Sequence, residues 1–334
     1  MTTRDSISLA AHAKINLALH VSAPEPSGTA HAGWHRIVSW IAPIALHDDI
    51  VVRRGGQHSI QWGTDAPRPT PIDWPIEKDL GVRALKAIEG HVGRSLDASV
   101  AITKRVPVGG GLGGGSSDAA AVLVAANQLF SLGLRARDLR TIGATLGSDV
   151  SFFIDDDAAD APRAQHHVPR AAIISDFGTV RERVPSPNGE PLLVIPALGC
   201  ETRAVYRAFD ATAAGSRTLD VNREADRLAS LARRCRVLDE LCSAEARAAT
   251  PNDLFEAACV VQPALRPLVA RVEAALLARR PDARVFMTGS GSALVVLGAA
   301  ADDLRCIAGA AIVATRMLGS GPQHPVQTPS AGSC

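Results

Sequence analysis

Val108-Gly-Gly-Gly-Leu-Gly-Gly-Gly-Ser-Ser-Asp-Ala-Ala120 decides how the chain is read. Six of the seven positions 109–115 are glycine, and two hydroxyls and an Ala/Val/Leu run to Phe130 follow. Glycine loses the most freedom on ordering, so a cluster of this density weakens regular structure unless the backbone itself has a task. Backbone without Cβ atoms can curl and aim successive N–H groups at one point. A helix starting after it adds unpaired N–H groups and the positive end of its dipole. The combination suits a phosphate. A strand-like segment with alternating Val100 and Ile102 precedes the glycines, and a helix apolar nearly all round follows, which argues against a flexible linker.

Other phosphate loops fit poorly. No lysine follows the glycines, as a Walker loop requires. A dinucleotide fingerprint can be traced through Gly109, Gly111 and Gly114, but so glycine-rich a run matches almost anything. That fingerprint also opens the first βαβ unit and needs an acid closing a second strand. Here the run lies a third of the way along, and the acid at suitable spacing, Asp138, falls in an apparent helix.

Outward from the loop, Ile7–Val21 alternates like a strand and Ile37–Arg53 holds two strand-like stretches. Residues 55–75 read as loop with one short hairpin, and 79–90 as helix. A helix over 136–146 follows the loop helix. Residues 155–189 read as irregular, since seven of the first fifteen are Asp, Pro or Arg, and the domain boundary is placed there. A strand at 192–196, helices over 223–249 and 263–280, and a strand–turn–strand at 285–297 complete the pattern. Strands before helices, without regular βαβ alternation, predict an α+β fold of two domains, 1–165 and 190–317, with a disordered tail at 318–334.

Composition narrows the function classes. The 334 residues are 46% hydrophobic and 21% charged, enough for a sizeable core. A net charge of +1 argues against general nucleic-acid or membrane-surface binding. No apolar run reaches membrane-spanning length, and the first residues do not form a secretory signal. All six cysteines fall at or after Cys200, with no Cys-x-x-Cys and no histidine at zinc spacing. The expectation is a soluble cytoplasmic protein with reduced thiols.

Pro107 through Ala120 resembles the phosphate loop of the GHMP kinases, the galacto-, homoserine, mevalonate and phosphomevalonate kinase superfamily. Three more segments match in order: Ala13-Lys-Ile-Asn-Leu17, Leu146-Gly-Ser-Asp-Val-Ser-Phe-Phe153 and Met287-Thr-Gly-Ser-Gly-Ser292. Gly33-Trp-His35, Glu201-Thr-Arg-Ala-Val-Tyr206 and Asn252-Asp-Leu254 match more weakly, so the resemblance runs from about residue 8 to residue 315. It implies a ribosomal protein S5 domain 2-like N-terminal domain and a ferredoxin-like C-terminal one. It also implies ATP and Mg²⁺ as cofactors and phosphoryl transfer to an alcohol. The partners expected with it are a small-molecule substrate and at most a second copy of the chain, as a monomer or homodimer.

The resemblance sorts the candidate residues. ATP falls to Pro107, Val108, Gly109, Gly110, Gly111, Leu112, Gly113, Gly114, Gly115, Ser116 and Ser117. One of the two serines is expected to N-cap the helix and one to reach Mg²⁺ or the β/γ-phosphates, but the protein ligands of the metal stay unassigned. Asp149 matches the family's catalytic aspartate, although an Asp after a helix is more commonly a cap. Lys14, which sequence alone also allows as an edge-strand lysine, would lie beside it, with Asn16 on the same strand face. Trp34 and His35 resemble the family's Gly-Tyr-His pair that stacks on and bonds cytosine, though a core tryptophan fits as well. Tyr206, the only tyrosine, matches a second aromatic of that clamp, with Thr202 nearby. Gly289 and Gly291 would line the site, or simply form a tight hairpin. This form of the loop and these aromatics favour a cytidine-diphosphate-linked polyol as acceptor over homoserine or mevalonate. Departures are Asp79 for the usual Asn, Ser151 for the usual Pro, the lack of a clean Gly-x-Gly-Glu loop, whose nearest equivalent is Asp176-Phe-Gly-Thr-Val-Arg-Glu182, and an insertion-like stretch from Asp155.

Overall fold

Two long antiparallel strands, β1 (Ser6–Pro24) and β2 (His35–Arg54), form the spine. The computed structural model describes residues 4–155, 168–212 and 214–319. β1 begins as a half-buried strand, with Ile7, Leu9 and Ala11 inward, and becomes buried on both faces from Ala13 to Val21. Register shifts at His12/Lys14 and Asn16/Ala18 break the alternation. They hand the strand from one core, shared by Ile7, Leu9 and Ala11, to a second that takes Ala13, Ile15 and Leu17.

On the far edge of β2, β4 (Ala98–Lys104) pairs with Asp49–Arg54 and β5 (Ala172–Asp176) with Ile37–Ile41. β3 (Ser59–Trp62) runs parallel to β4, and β6 (Thr179–Arg183) pairs with β5, closing a six-stranded sheet. Helix α1 (Leu80–Val92) and helix α2 (Gly114–Leu129) cover the first core, with α3 (Ala136–Ala144) beside them. α2 is buried from Ser117 to Asn127, because its alanines let it sit close to the sheet and to α1 at once.

The second sheet has β7 (Leu192–Pro196), β8 (Arg284–Met287), β9 (Leu294–Leu297) and β10 (Ala310–Ala314) in the order β10-β7-β9-β8, antiparallel throughout. Counted along the chain this is 4-1-3-2, the order of a ferredoxin-like sheet. Between β7 and β8 lie α4 (Thr202–Asp210), α5 (Val221–Arg234), α6 (Ala244–Ala249), α7 (Phe255–Val261) and α8 (Leu265–Leu277). The two sheets are stitched together along β1. Leu19 exchanges backbone hydrogen bonds with Pro251 and Asp253, and Val21 donates to the Asp253 carboxylate. The fold is α+β, and among the described residues no helix is long and apolar enough to cross a membrane.

Several expectations change. Ile37–Arg53 is one continuous strand rather than two, because β1 pairs along its whole length. β3 forms no hairpin; it finds its partner in β4, about forty residues on. The segment read as irregular at 155–189 contains β5 and β6, whose Ala-Ile-Ile-Ser core was masked by polar neighbours. The long helix over 223–249 is interrupted, since Arg236 and Leu238 leave it to hydrogen-bond with Asn188. The tail from 320 lies outside the described residues.

At the root of the glycine loop sits a buried ion cluster. Lys104 Nζ donates to Asp48 Oδ2 at 2.6 Å and to Asp118 Oδ2 at 2.8 Å, with both carboxylates fully buried. Asp48 Oδ1 also accepts from the backbone N–H groups of Arg105 and Val106, at 2.7 Å for the latter. Burial pushes the Asp118 carboxyl well up, Lys104 opposes this, and Asp48 adds to it. Lys104→Met leaves two buried carboxyls without their cation, and such a loss costs about 3–5 kcal/mol. Urea unfolding should show that drop at unchanged m-value; a change below ~1 kcal/mol would mean the cluster does not hold the loop root.

Candidate active site

The glycine loop crosses from β4 to α2 over the seam between the two cores. Leu112, 1% exposed, pins it in the second core while the glycines on either side stay in the cleft. Loop carbonyls are held by their neighbours: Gly109 O accepts from Cys200 and Ser292, Gly110 O from Ala293, and Leu112 O from Lys14. Gly111 needs both its left-handed φ of 73° and its missing side chain, since a Cβ there would stand 2.2 Å from Thr288 O. Gly113, also left-handed, N-caps α2 with no side-chain cap bond. Ser116 and Ser117 therefore sit inside the first turn, and neither is the N-cap. Ser116 lines the cleft, whereas Ser117 is buried off its wall with its N–H bonded to Gly113 O.

The cleft holds about 560 Å³. Pro107 through Ser116 form one wall; Lys14, Asn16, Asp149, Thr202, Tyr206 and Gly289 also line it. Lys14 is interior, not an edge lysine: its Nζ donates to Asn16 Oδ1 at 2.6 Å and lies 3.4 Å from Asp149 Oδ2. Asn16 is fixed from three sides, by Lys14, by Ser39 Oγ at 2.8 Å from its Nδ2, and by Thr288 Oγ1 at 2.8 Å from its backbone N. Asp149 precedes a 3₁₀ turn (Val150–Phe153) but gives it no side-chain cap bond, so the capping alternative does not hold. Its side chain keeps 31% exposure toward the cleft, against 4% for Lys14. Burial pushes the half-buried Tyr206 phenol above its ordinary range, and the charge of Asp149 adds to the shift.

On the acceptor side the candidates separate. His35 stands 5.0 Å from the Tyr206 ring, with Nδ1 2.9 Å from Ser22 O and Nε2 3.2 Å from Asp210 Oδ1. Trp34 is no core residue: at 57% exposure it lies outside the cleft lining, against His31 and Phe177. Thr202 Oγ1 and Ser290 Oγ are 2.9 Å apart on the wall. A Cβ on Gly289 would sit 2.8 Å from Gly111 O and 3.2 Å from Lys14 Nζ, while Gly291 packs on Met287 and Cys200 away from the wall.

Other lining residues escaped the sequence reading. Ser148 and Ser290 sit inside recognised motifs and Lys104 just precedes the loop, so proximity was their signal. Trp74 and Lys78 come from a stretch with none. Asp79 also lines the cleft, but its carboxylate is engaged: Oδ1 caps α1 through Gly81 N at 2.8 Å, and Oδ2 accepts from Trp74 Nε1 at 3.3 Å. Asn252 steadies the second glycine turn by donating to the carbonyls of Met287 and Gly289.

Comparison with known proteins agrees with this geometry. Residues 79–157 match the GHMP kinases N terminal domain. The 4-diphosphocytidyl-2-C-methyl-D-erythritol kinase of Mycolicibacterium gilvum is 31% identical over 95% of this chain and 91% of its own length. That of Mycolicibacterium smegmatis is 32% identical over 98% and 95%. A crystal structure of 4-(cytidine 5'-diphospho)-2C-methyl-D-erythritol kinase superposes with a TM-score of 0.64 at 26% identity, covering 94% of this chain and all of that one. Similarity at this level over nearly the whole length makes the chain a member of the 4-diphosphocytidyl-2-C-methyl-D-erythritol kinase family, within the GHMP kinases.

Proposed function

We propose that the protein transfers the γ-phosphoryl group of ATP to the 2-hydroxyl of 4-diphosphocytidyl-2-C-methyl-D-erythritol, a step of non-mevalonate isoprenoid biosynthesis. The observation that carries the reading is the Lys14–Asp149 pair, 3.4 Å apart, on the same cleft as the glycine loop. The triphosphate lies along the loop, where first-turn N–H groups of α2 and its dipole meet the negative charge. Asp149 accepts the hydroxyl proton as that oxygen attacks the γ-phosphorus, and the bond to the β-phosphate oxygen breaks to release ADP. The Lys14 ammonium, held by Asn16, opposes the negative charge that builds on the attacking oxygen.

Mg²⁺ is the implied partner of the triphosphate. Among the described residues no group of three His, Cys, Asp or Glu side chains is placed to hold a metal. This fits an ion carried mainly by phosphates and water. The Ser116 hydroxyl, on the loop wall, is an oxygen donor that would complete its shell. When bound, it neutralises phosphate charge.

The name of the family's substrate, together with Tyr206 on the same cleft as the Lys14–Asp149 pair and His35 packed on its ring, supports a cytidyl acceptor. Free thiols at Cys200, Cys235, Cys242, Cys259 and Cys306 support a reducing, cytoplasmic setting. All the proposed site residues come from one chain, so a monomer or a homodimer serves equally.

The test is ATP consumption by the purified protein with the cytidyl acceptor, homoserine and mevalonate in parallel. Turnover confined to the first supports the reading; turnover confined to another acceptor refutes the substrate while leaving the chemistry. Asp149→Asn should lower kcat by about 10²–10⁴-fold with ATP still bound, and a loss under tenfold would rule out Asp149 as the base. Tyr206→Leu removes an aromatic face at the acceptor and should raise the acceptor KM by about 5–100-fold, leaving the KM for ATP unchanged. Equal rises in both constants would mean that Tyr206 only supports the fold.

A further inference from the structure

The β5–β6 turn, Asp176-Phe177-Gly178, carries a task that neither motif matching nor the mechanism above assigns to it. It lies where the acceptor loop and the catalytic turn come together. Gly178 packs directly on Ser148: a Cβ there would stand 2.6 Å from the Ser148 carbonyl oxygen and 3.0 Å from its Cβ. Ser148 is the residue before Asp149. On its other side, Phe177 stacks on His31 at 4.1 Å and 30°, and meets Trp34 in a T at 6.1 Å and 81°.

The turn is built to stay in place. Asp176 adopts a left-handed φ of 56°, an unfavourable conformation for a residue with a side chain. Its carboxylate is held by Arg36 Nη1 at 2.7 Å and Ser175 Oγ at 3.1 Å. The Arg36 guanidinium also lies 5.3 Å from the Phe177 ring centre and bonds Glu25 Oε1 at 2.6 Å, tying the turn to the start of the acceptor loop. Trp34 adjoins His35, which rests on Tyr206, on the same cleft as Asp149. The contacts thus run from Ser148 through Gly178 and Phe177 to Trp34, and Trp34 leads along the chain to His35 on Tyr206, a residue of the cleft wall.

An exposed indole has several orientations open to it, and an edge-to-face partner selects one. A backbone wedge under Ser148 likewise limits where the next carboxylate points. We propose that the β5–β6 turn positions the acceptor: Phe177, through His31 and Trp34, holds the loop so that the adjoining His35 and Tyr206 meet the nucleobase, and Gly178 sets Asp149 at the reacting hydroxyl. Base recognition is thereby registered to proton abstraction. Phe177 and Gly178 are positioning residues rather than catalytic ones, and the assignment rests on the reading of a nucleobase-bearing acceptor.

Steady-state kinetics separate the two roles. Phe177→Ala should raise the KM of the cytidyl acceptor by about three- to tenfold, with kcat and the KM for ATP unchanged. Phe177→Tyr should restore it. With the acceptor stripped of its cytidine monophosphate, Phe177→Ala should make no difference, which general loosening of the fold would not reproduce. Gly178→Ala should lower kcat by about 10²-fold with acceptor KM within twofold, and its melting temperature is measured alongside. Should it fail to fold, the Phe177 series carries the decision. Thr179→Ala, at an exposed position beyond the turn, should match the unchanged protein. An unchanged acceptor KM in Phe177→Ala, or a parallel rise in the KM for ATP, overturns the proposal while the kinase reading stands. No turnover of the cytidyl acceptor by the unchanged protein overturns that reading and this proposal together.

Discussion

The closest approach that the fold depends on is Gly111 against the carbonyl of Thr288, where no Cβ fits. It brings the glycine loop of the first sheet into contact with the glycine turn between β8 and β9 of the second. From it follow the hydrogen bonds of Ser292 and Ala293 to the loop carbonyls, and the Thr288 hydroxyl that fixes the backbone of Asn16. It also brings Gly289 within reach of Lys14. The site is thus a property of the seam. Either sheet alone would present a glycine turn with its carbonyls unpaired, and buried unpaired backbone groups are costly.

Two buried lysines near that seam show how charge is assigned to structure and to chemistry. Lys104 is enclosed by Asp48 and Asp118 at 2.6 and 2.8 Å, and those carboxylates have no exposure with which to meet a substrate. Such a cluster locks a loop root and does little else. Lys14 has one short neutral partner, Asn16, and a single carboxylate at the longer distance of 3.4 Å that remains partly open to the cleft. A cation held by an amide and only loosely paired retains field to direct at an incoming oxygen. The difference between the two lysines lies in the geometry of their partners.

Residue type and local pattern made part of this legible. The glycine run, Lys14, Asn16 and Asp149 meet on one cleft as expected, and each sits in a short local motif that could be picked out by itself. The unbroken apolar run Leu192–Pro196, buried throughout, and the alternating start of β1 were readable from local pattern too. What was missed depends on partners distant in the chain. β3 exists because β4 offers an edge, and the helix break after Arg234 exists because Asn188 bonds Arg236 and Leu238. The position of Trp34 could not be read from its motif, because it is set by Phe177, more than a hundred residues away.

The same distinction accounts for the departures from the family pattern. Asp79 introduces a charge on the cleft wall, yet both its oxygens are occupied, one capping α1 and the other holding Trp74. A carboxylate so engaged serves the helix start, and Asn at that position would serve it equally. Ser151, in place of proline, sends its hydroxyl back to Arg140 O at 3.3 Å, away from the cleft. Proline would fix φ in that turn by its ring, whereas serine ties the same turn to α3 by a hydrogen bond. Both changes exchange one local restraint for another and leave Lys14, Asp149 and the glycine loop in place.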